Sequence, residues 1–269
     1  MATLSRELRA GGAVLVRNLH MIRRYASWEL VFFFYSVINV LTIGLIAYAE
    51  PASRRGPEVL YLAIGALLWG FLSLLFQEVA NAITYERWEG TIEYSFMAPI
   101  RRISYLAGNV GGALLYSLVR SALALVAVAL FFHLRAPHVN AVGAMAVMLV
   151  SAVPFVGLGL VMTVLPLLST ERGAQATQVI QGLMLLVSGV YYPVSVLPVW
   201  LRWLSGLSPA TYTLEAERMA ILHGAGWSVL APDLVRLAVT GVVLVPLGLV
   251  VFHEAERYAL RTGRLKRNG

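Results

Sequence analysis

The most prominent pattern in the chain is a series of long apolar stretches separated by short polar segments. A helix needs roughly 20 apolar residues to cross the hydrocarbon core of a bilayer, and six stretches reach about that length. They cover residues 30–49, 59–82, 104–132, 141–168, 176–196 and 233–252. Because helices satisfy their own backbone in lipid, we predict an all-α membrane protein with six transmembrane helices, in one domain over residues 29–253.

The residues before the first apolar stretch follow a helical pattern with an apolar side and a basic side. At about 100° per residue, one group of apolar side chains falls within about 40° of one line. The group consists of Leu4, Leu8, Leu15, Leu19, Ile22 and Ala26. We predict that residues 1–28 form an amphipathic helix in the membrane interface, and the alternative is a soluble helix packed on neighbouring loops. The predicted interface anchors, from this helix and from a later loop, are Arg6, Arg17, Arg24, Arg101 and Arg102.

The composition agrees with a membrane protein. Hydrophobic residues make up 59% of the 269 residues and charged residues 13%, whereas soluble domains average about 45–50% and about 25%. These values exclude an ordinary soluble enzyme and a disordered chain. The sequence has no cysteine, which excludes disulfides, a thiolate nucleophile and cysteine-ligated zinc.

The basic residues are divided unevenly between the two sides that six spans would define. The side that holds both termini carries 14 of them, and the opposite side carries 6. An excess of arginine and lysine marks the cytoplasmic side. We therefore predict a multi-pass protein of the cell inner (plasma) membrane with both termini in the cytoplasm, including a basic tail at residues 254–269. This distribution also explains the net charge of +7 without nucleic-acid binding.

The polar segment between the second and third stretches contains a short amphipathic helix. Residues 86–102 read ERWEGTIEYSFMAPIRR. Ile92, Phe96 and Ile100 recur at every fourth position, so they share one helical face, and Pro99 ends or kinks the helix. Such a helix can transmit force if a partner protein holds it, although an ordinary turn between two spans is the alternative.

Two parts of the sequence resemble the ABC-2 type transporter permeases. The first joins Glu86-Arg87-x-x-Gly90-Thr91-Ile92-Glu93 to Ala98-Pro99-Ile100-Arg101-Arg102. The second reads SGVYYPVSVLPVWL at residues 188–201 and SPATYTLEAER at residues 208–218. The resemblance extends over the whole chain. It implies that an outer segment, residues 190–231, forms helices that re-enter the membrane between spans five and six.

The resemblance also implies partners. In this family the cytoplasmic loop forms a coupling helix that docks onto a separate ATPase subunit. We therefore expect two ATPase subunits, which would bind ATP and Mg, a second permease (another copy or a paralogue) and membrane lipids. The coupling residues implied for this chain are Glu86, Arg87, Glu89, Gly90, Thr91, Glu93, Phe96 and Pro99.

The chain itself has no nucleotide-binding motif. A P-loop needs a lysine followed by serine or threonine, and the only lysine, Lys266, is followed by Arg267. We predict that the chain is not an enzyme and that it binds no cofactor or metal. Any ATP-driven activity would require the partner ATPase.

Four residues are candidates for a translocation path, namely Glu78, Arg120, Tyr191 and Tyr192. A charge at mid-membrane costs at least ~2.5–3.5 kcal/mol, so Arg120 lines a path or pairs with another group. Glu78 lines a gate or solvates the end of its helix. The two tyrosines stack on cargo or belong to an interfacial aromatic belt.

The function we predict is that of the permease subunit of an ATP-driven exporter. As implied by the resemblance, it would move a hydrophobic small molecule, drug or lipid out of the cytoplasm. An exporter of a lipid-linked polysaccharide is the alternative within the family. An ATP-independent membrane channel or scaffold is the alternative from a different class.

Overall fold

The computed structural model describes residues 2–49, 51–133, 139–168 and 170–262, and these are mostly helical. The α-helices are α1 (Ala2–Arg24), α2 (Ala26–Ile46), α3 (Ala52–Glu89), α4 (Ile92–Met97), α5 (Arg102–Phe132), α6 (Ala141–Met162), α7 (Val164–Leu168), α8 (Thr170–Val187), α9 (Val199–Ser205), α10 (Pro209–Leu222) and α11 (Trp227–Thr262). No strand occurs among the described residues. The all-α class is therefore confirmed.

Five helical segments within the described residues are long and apolar enough to cross a membrane. They are Ala26–Ile46, Gly56–Glu89, Arg102–Phe132, Ala141–Leu168 and Trp227–Thr262. These segments correspond to predicted spans one to four and span six. At 1.5 Å per residue α11 is about 54 Å long, which exceeds a hydrocarbon core of about 30 Å. Its last turns form the start of the predicted tail, and residues 263–269 of that tail lie outside the described part of the chain.

The region of the predicted fifth span differs from a straight transmembrane helix. The span was placed at residues 176–196, but α8 ends at Val187, and its apolar part, Gln175–Val187, is shorter than the other five segments. The backbone at Gly189 adopts φ 68°, which favours glycine and interrupts a helix. Pro193 then fixes the following turn. The apolar run continues through this break, which explains why hydropathy alone overestimated the helix.

Helix α3 forms the centre of the packed bundle. Its Phe71, Leu72 and Phe76 are almost completely buried, as are Phe155 of α6 and Phe252 of α11. Close approach of α6 and α11 depends on small residues, since a methyl group at Gly157 would lie 2.7 Å from Leu244. Such close backbone contacts are characteristic of helix association in lipid. The core therefore joins α3, α6 and α11 into one unit.

Helix α1 packs along the first part of α5. It passes through Gly11 and Gly12 without a break, and a methyl group at Gly108 of α5 would lie 2.5 Å from the carbonyl oxygen of Gly11. Val14 of α1 is buried in the same contact, whereas Leu8 is 70% exposed. Leu15 of the predicted apolar stripe also contacts α5, where a methyl group at Gly111 would lie 3.2 Å from its side chain, so part of the stripe packs against protein and part stays uncovered.

The segment between α8 and α11 folds into two short helices. Helix α9 exposes the side chains of Trp200 and Trp203. Helix α10 buries Ala216 and Ala220, which pack against Val147 of α6. One of the two helices thus belongs to the packed bundle, and the other lies on its surface. Whether they re-enter a membrane stays a prediction.

Candidate functional site

The loop between α3 and α5 is a compact turn around the six-residue helix α4. Helix α3 ends at Glu89, and Gly90 adopts φ 70° as its C-cap. The amide of Gly90 donates to the carbonyl of Arg87 at 3.2 Å, and that of Thr91 donates to Glu86 at 2.9 Å. A left-handed glycine with these bonds is a common helix ending. The chain reverses sharply here and places α4 directly beside the end of α3.

One face of α4 is attached to the core. Ile92 is buried, and Phe96 and Ile100 pack against the same cluster, as the spacing predicted. The Phe96 ring lies edge-on to Tyr105, with 6.2 Å between the ring centroids. The guanidinium of Arg102 lies 4.5 Å above the Phe96 ring, within cation–π distance. The loop is therefore a packed part of the bundle.

Arg102 connects the loop to α11. Its Nε donates to Glu256 at 2.6 Å, and two further nitrogens donate to the carbonyls of Ser95 at 3.3 Å and Phe96 at 2.5 Å. In this structure the side chain points to protein groups, because Glu256 comes close once α11 is folded. A role of Arg102 as a lipid-headgroup anchor stays a prediction.

Helix α1 holds the loop from the other side. Arg17 forms a 2.5 Å ion pair with Glu86 and donates to the hydroxyl of Ser95 at 3.3 Å. Arg24 approaches Glu89 at 3.9 Å, and the same carboxylate accepts a 2.6 Å bond from Tyr25. Two of the predicted interface anchors are thus directed, in this structure, towards the loop.

A second set of contacts joins α1 to the end of the loop. Glu7 accepts bonds from the amide of Arg101 at 3.1 Å and from the hydroxyl of Ser104 at 2.6 Å. The Ser104 bond, followed by the Arg101 amide, lowers the pKa of Glu7. Arg6 donates to the carbonyl of Pro99 at 3.1 Å. The sequence pattern gave no role to Glu7, since its partners lie more than 90 residues away.

The predicted coupling residues divide into an inner and an outer set. Glu86 and Arg87 are each only 3% exposed, and Arg87 donates to the carbonyl of Leu167 in α7 at 2.7 Å. Glu93 and Pro99 are exposed, whereas Gly90, Thr91, Glu89 and Phe96 are partly covered. The inner residues attach the loop to the bundle, and the outer ones can contact another protein.

Two exposed side chains on α4 are not among the coupling residues predicted from the sequence. Tyr94 is 80% exposed and Met97 is 82% exposed. With Glu93 they form the loop patch, which faces away from Ile92. The available signal was the i, i+3 spacing of Tyr94 and Met97 opposite the buried face. Exposed aromatic and methionine side chains are enriched at protein interfaces.

Arg120 has partners on α2 and on its own helix, α5. It donates to the carbonyl of Phe32 at 2.6 Å, to the hydroxyl of Ser36 at 2.8 Å and to that of Tyr116 at 2.6 Å. The carboxylate of Glu29 lies 3.9 Å away and accepts a bond from Tyr116. A charged group inside a span is expected to find such partners. Arg120 thus has a structural role in attaching α2 to α5.

Glu78 lies beside this cluster and is less completely bonded. Its carboxylate accepts a 3.3 Å bond from Tyr85 and lies within electrostatic range of Glu29 and Arg120. The preceding residue, Gln77 of α3, is hydrogen-bonded to Gln181 of α8. Polar groups from four helices therefore meet at this level of the bundle.

The two candidate tyrosines of the outer segment are held against protein. Tyr191 packs with Val40 and Ala63 at the outer ends of α2 and α3, and burial raises the pKa of its hydroxyl. The hydroxyl of Tyr192 donates to the carbonyl of Leu186 at 2.5 Å. Packing explains the position of the Tyr191 side chain, and a hydrogen bond explains that of Tyr192.

Comparison with known proteins identifies one family. The model of the ABC-2 type transporter family matches residues 12–222, which is more than three quarters of the chain. The match includes α3, the loop around α4 and the outer helices. No curated protein matches the chain.

Proposed function

Because the chain belongs to the ABC-2 type transporter family, we propose that it is the permease of an ATP-driven exporter. Its cargo would be a hydrophobic small molecule, a drug or a lipid that leaves the cytoplasm. The observation that carries this proposal is the loop patch. It is exposed on one face of α4 while the opposite face is fixed to the bundle.

The attachments of the loop support a role in coupling. Ion pairs join it to α1 through Arg17 and Glu86 and to α11 through Arg102 and Glu256. A force applied to α4 therefore acts on α1, α3, α5 and α11 together. Two ATPase subunits would supply that force by binding ATP and Mg. A second permease, identical or related, would complete the pathway.

The location of the protein follows from the same proposal. The loop patch and both termini would lie in the cytoplasm, with the spans in the inner (plasma) membrane, as the basic residues favour. The exposed side of α1, which carries Leu8, would rest in the lipid interface. The outer segment, residues 190–231, would lie on the opposite side at the exit of the pathway.

The intramembrane polar groups suggest where cargo passes. Arg120 is bonded to Phe32 and Ser36 of α2 and to Tyr116 of its own helix, so we assign it a structural role. Glu78 is partly buried and only weakly bonded, and we propose that it lines the pathway near Gln77 and Gln181. A hydrophobic cargo that carries one polar or cationic group would fit such a surface.

The proposal is tested by measuring ATPase activity in a purified complex. The permease is co-expressed with the ATPase encoded beside it, and each is assayed alone and together. We expect co-purification and cargo-dependent ATPase stimulation in the intact complex. Glu93→Lys reverses a charge in the loop patch. We expect it to reduce the cargo-dependent ATPase stimulation about tenfold or more without affecting membrane insertion.

The matched control is Glu254→Lys on α11, another exposed glutamate. It should leave the stimulation unchanged. Equal stimulation in both variants would reject the loop patch as the coupling surface. Failure to co-purify with any ATPase would reject the permease role and favour a channel or scaffold.

A further inference from the structure

Helix α1 carries basic side chains that have no partner within the described part of the protein. The helix contains five arginines and one glutamate, and three of the arginines are directed towards the loop between α3 and α5. Arg9 and Arg23 are exposed, and neither forms a hydrogen bond or an ion pair with any residue that the structure describes. His20 is exposed and likewise has no such contact. These three side chains are therefore free to bind a partner outside the chain.

The three free basic residues share one face of α1 with apolar side chains. Val16 is 48% exposed and Leu19 is 38% exposed, and Leu8 is uncovered as well. At about 100° per residue, all six side chains fall within an arc of about 120°. Leu8 and Leu19 lie at one edge of this arc, and Arg9 and His20 lie at the other. This surface, the outer face of α1, consists of Leu8, Arg9, Val16, Leu19, His20 and Arg23.

The opposite face of α1 is fixed to the bundle. Val14 is buried against α5, and Asn18 donates to the side chain of Asn109 in α5 at 3.0 Å. Glu7 is the only acidic residue of α1, and it is turned towards the start of α5, where it accepts two hydrogen bonds. The outer face therefore has no carboxylate of its own, and its positive charge is not neutralised within the helix.

The outer face lies beside the start of two membrane-crossing segments. Helix α1 ends at Arg24, and α2, which is long and apolar enough to cross a membrane, begins at Ala26. Arg23 is thus within about one helical turn of a span. Helix α1 also packs along the first part of α5, another such segment. A helix that rests on lipid typically combines exposed apolar and basic side chains, so the position and the composition of the outer face both favour a lipid surface.

We propose that the outer face of α1 binds the headgroups of anionic phospholipids, such as phosphatidylglycerol. Arg9 and Arg23 contact the negatively charged headgroups, while Leu8 and Leu19 reach towards the acyl chains. Basic side chains beside a membrane are attracted to anionic lipid, so the face selects anionic over zwitterionic lipid. This assignment adds two arginines to the predicted interface anchors. The contact of α1 with lipid rests on the proposed function, whereas the preference for the anionic class rests on the free basic side chains.

Fluorescence quenching at the outer face tests the proposal without an ATPase. The chain has no cysteine, so Val16→Cys provides a single site for a bimane label on this face. The labelled full chain is reconstituted in vesicles that contain equal amounts of phosphatidylcholine and phosphatidylglycerol. One of the two lipids carries bromine on its acyl chains, and the vesicles are then prepared with the bromine on the other lipid. Bromine quenches only a label that it approaches closely, so the ratio of the two quenching values shows which lipid lies beside α1.

The test variant combines Arg9→Gln with Arg23→Gln. The matched control combines Arg257→Gln with Arg261→Gln, which removes the same charge from exposed positions on α11. In the unmodified protein and in the control, we expect brominated phosphatidylglycerol to quench the label at least about threefold more than brominated phosphatidylcholine. The test variant should bring this ratio close to one. In lipid-free detergent its unfolding midpoint should equal that of the unmodified protein, because the two arginines bond to no described residue.

Three results would overturn the proposal. They are a quenching ratio near one in the unmodified protein, equal ratios in the test variant and the control, and an absence of quenching by either lipid, which would mean that protein covers the outer face. None of these results bears on ATPase coupling, because both variants leave the loop patch unchanged. Failure to co-purify with an ATPase would in turn leave the lipid preference unaffected.

Discussion

The two ends of the helix bundle hold their buried carboxyl groups in different ways. At the end with the loop patch, Glu86 and Glu256 are buried, and each has an arginine partner. At the opposite end, Glu217 of α10 is 4% exposed, and no ion pair within 4.0 Å joins it to a basic group among the described residues. Burial raises the pKa of Glu217 to about 8.

This difference separates two kinds of connection. The ion pairs join segments that are distant in sequence, so they link the movement of one helix to that of another. The outer segment is held mainly by side chains that bond to backbone, such as Arg218 to Gly189 and Ser205 to Val187. Bonds of the second kind fix a local shape. We therefore expect coupling to depend on the first end and the shape of the exit side on the second.

The largest effect is expected from breaking an ion pair at the coupling end. Arg17→Met leaves the buried Glu86 carboxylate without its counter-charge. Because the Arg17 side chain is 37% exposed, water screens the pair, and we expect the cost to stay below the roughly 3–5 kcal/mol that is typical of a fully buried pair. The thermal unfolding midpoint in detergent should fall by several degrees, and cargo-stimulated ATPase activity should be lost. Arg9→Met, an exposed change on the same helix, is the control. Equal unfolding midpoints in the two variants would contradict this account.

An effect of opposite sign on stability is expected at Glu217. Its pKa is raised in the folded protein from an ordinary 4.5 to about 8, so the unfolded chain ionises first and stability falls as the pH rises from 4.5 to 8. Glu217→Gln should therefore stabilise the protein, by on the order of a few kcal/mol at pH 8. Unfolding midpoints from pH 4.5 to 8 measure the gain, which should disappear at the acidic limit. A gain that does not depend on pH would show that ionisation is not its cause.

The smallest effect on ATPase coupling is expected from a backbone-directed side chain. Arg218→Met removes two charge-assisted bonds, each worth about 1.5–3 kcal/mol but partly replaced by water. Hydrogen exchange should accelerate at residues 189–190 while ATPase stimulation stays within about twofold. A complete loss of stimulation would mean that the exit side takes part in coupling.

Much of the fold follows from the sequence, and much of the site does not. Five membrane-crossing segments could be predicted, because lipid demands about 20 apolar residues whatever their neighbours are. The end of α8 could not be predicted from hydropathy, since Gly189 and Pro193 break a run that stays apolar. The partner of Arg120 lies 88 residues away on α2, and the inward direction of Arg102 depends on Glu256. Such contacts depend on tertiary packing and have no local signal.

The loop could be recognised from the sequence, but the division of its residues into buried and exposed sets could be seen only in the structure. The motif placed Glu86 and Glu93 together as coupling residues. Burial separates them, because Glu86 lies under Arg17 while Glu93 faces outwards beside Tyr94. The motif identifies these residues but does not indicate which of them face the bundle and which face outwards.

Site-specific cross-linking from the loop patch tests the central claim most directly. The chain contains no cysteine, so Tyr94→Cys introduces a single attachment point for a maleimide–benzophenone cross-linker, and Trp200→Cys on α9 places the same probe on the other side. We predict that irradiation cross-links the co-expressed ATPase to position 94 and not to position 200. No cross-link at position 94 in a preparation that contains both proteins, or an equal yield at position 200, would contradict the account.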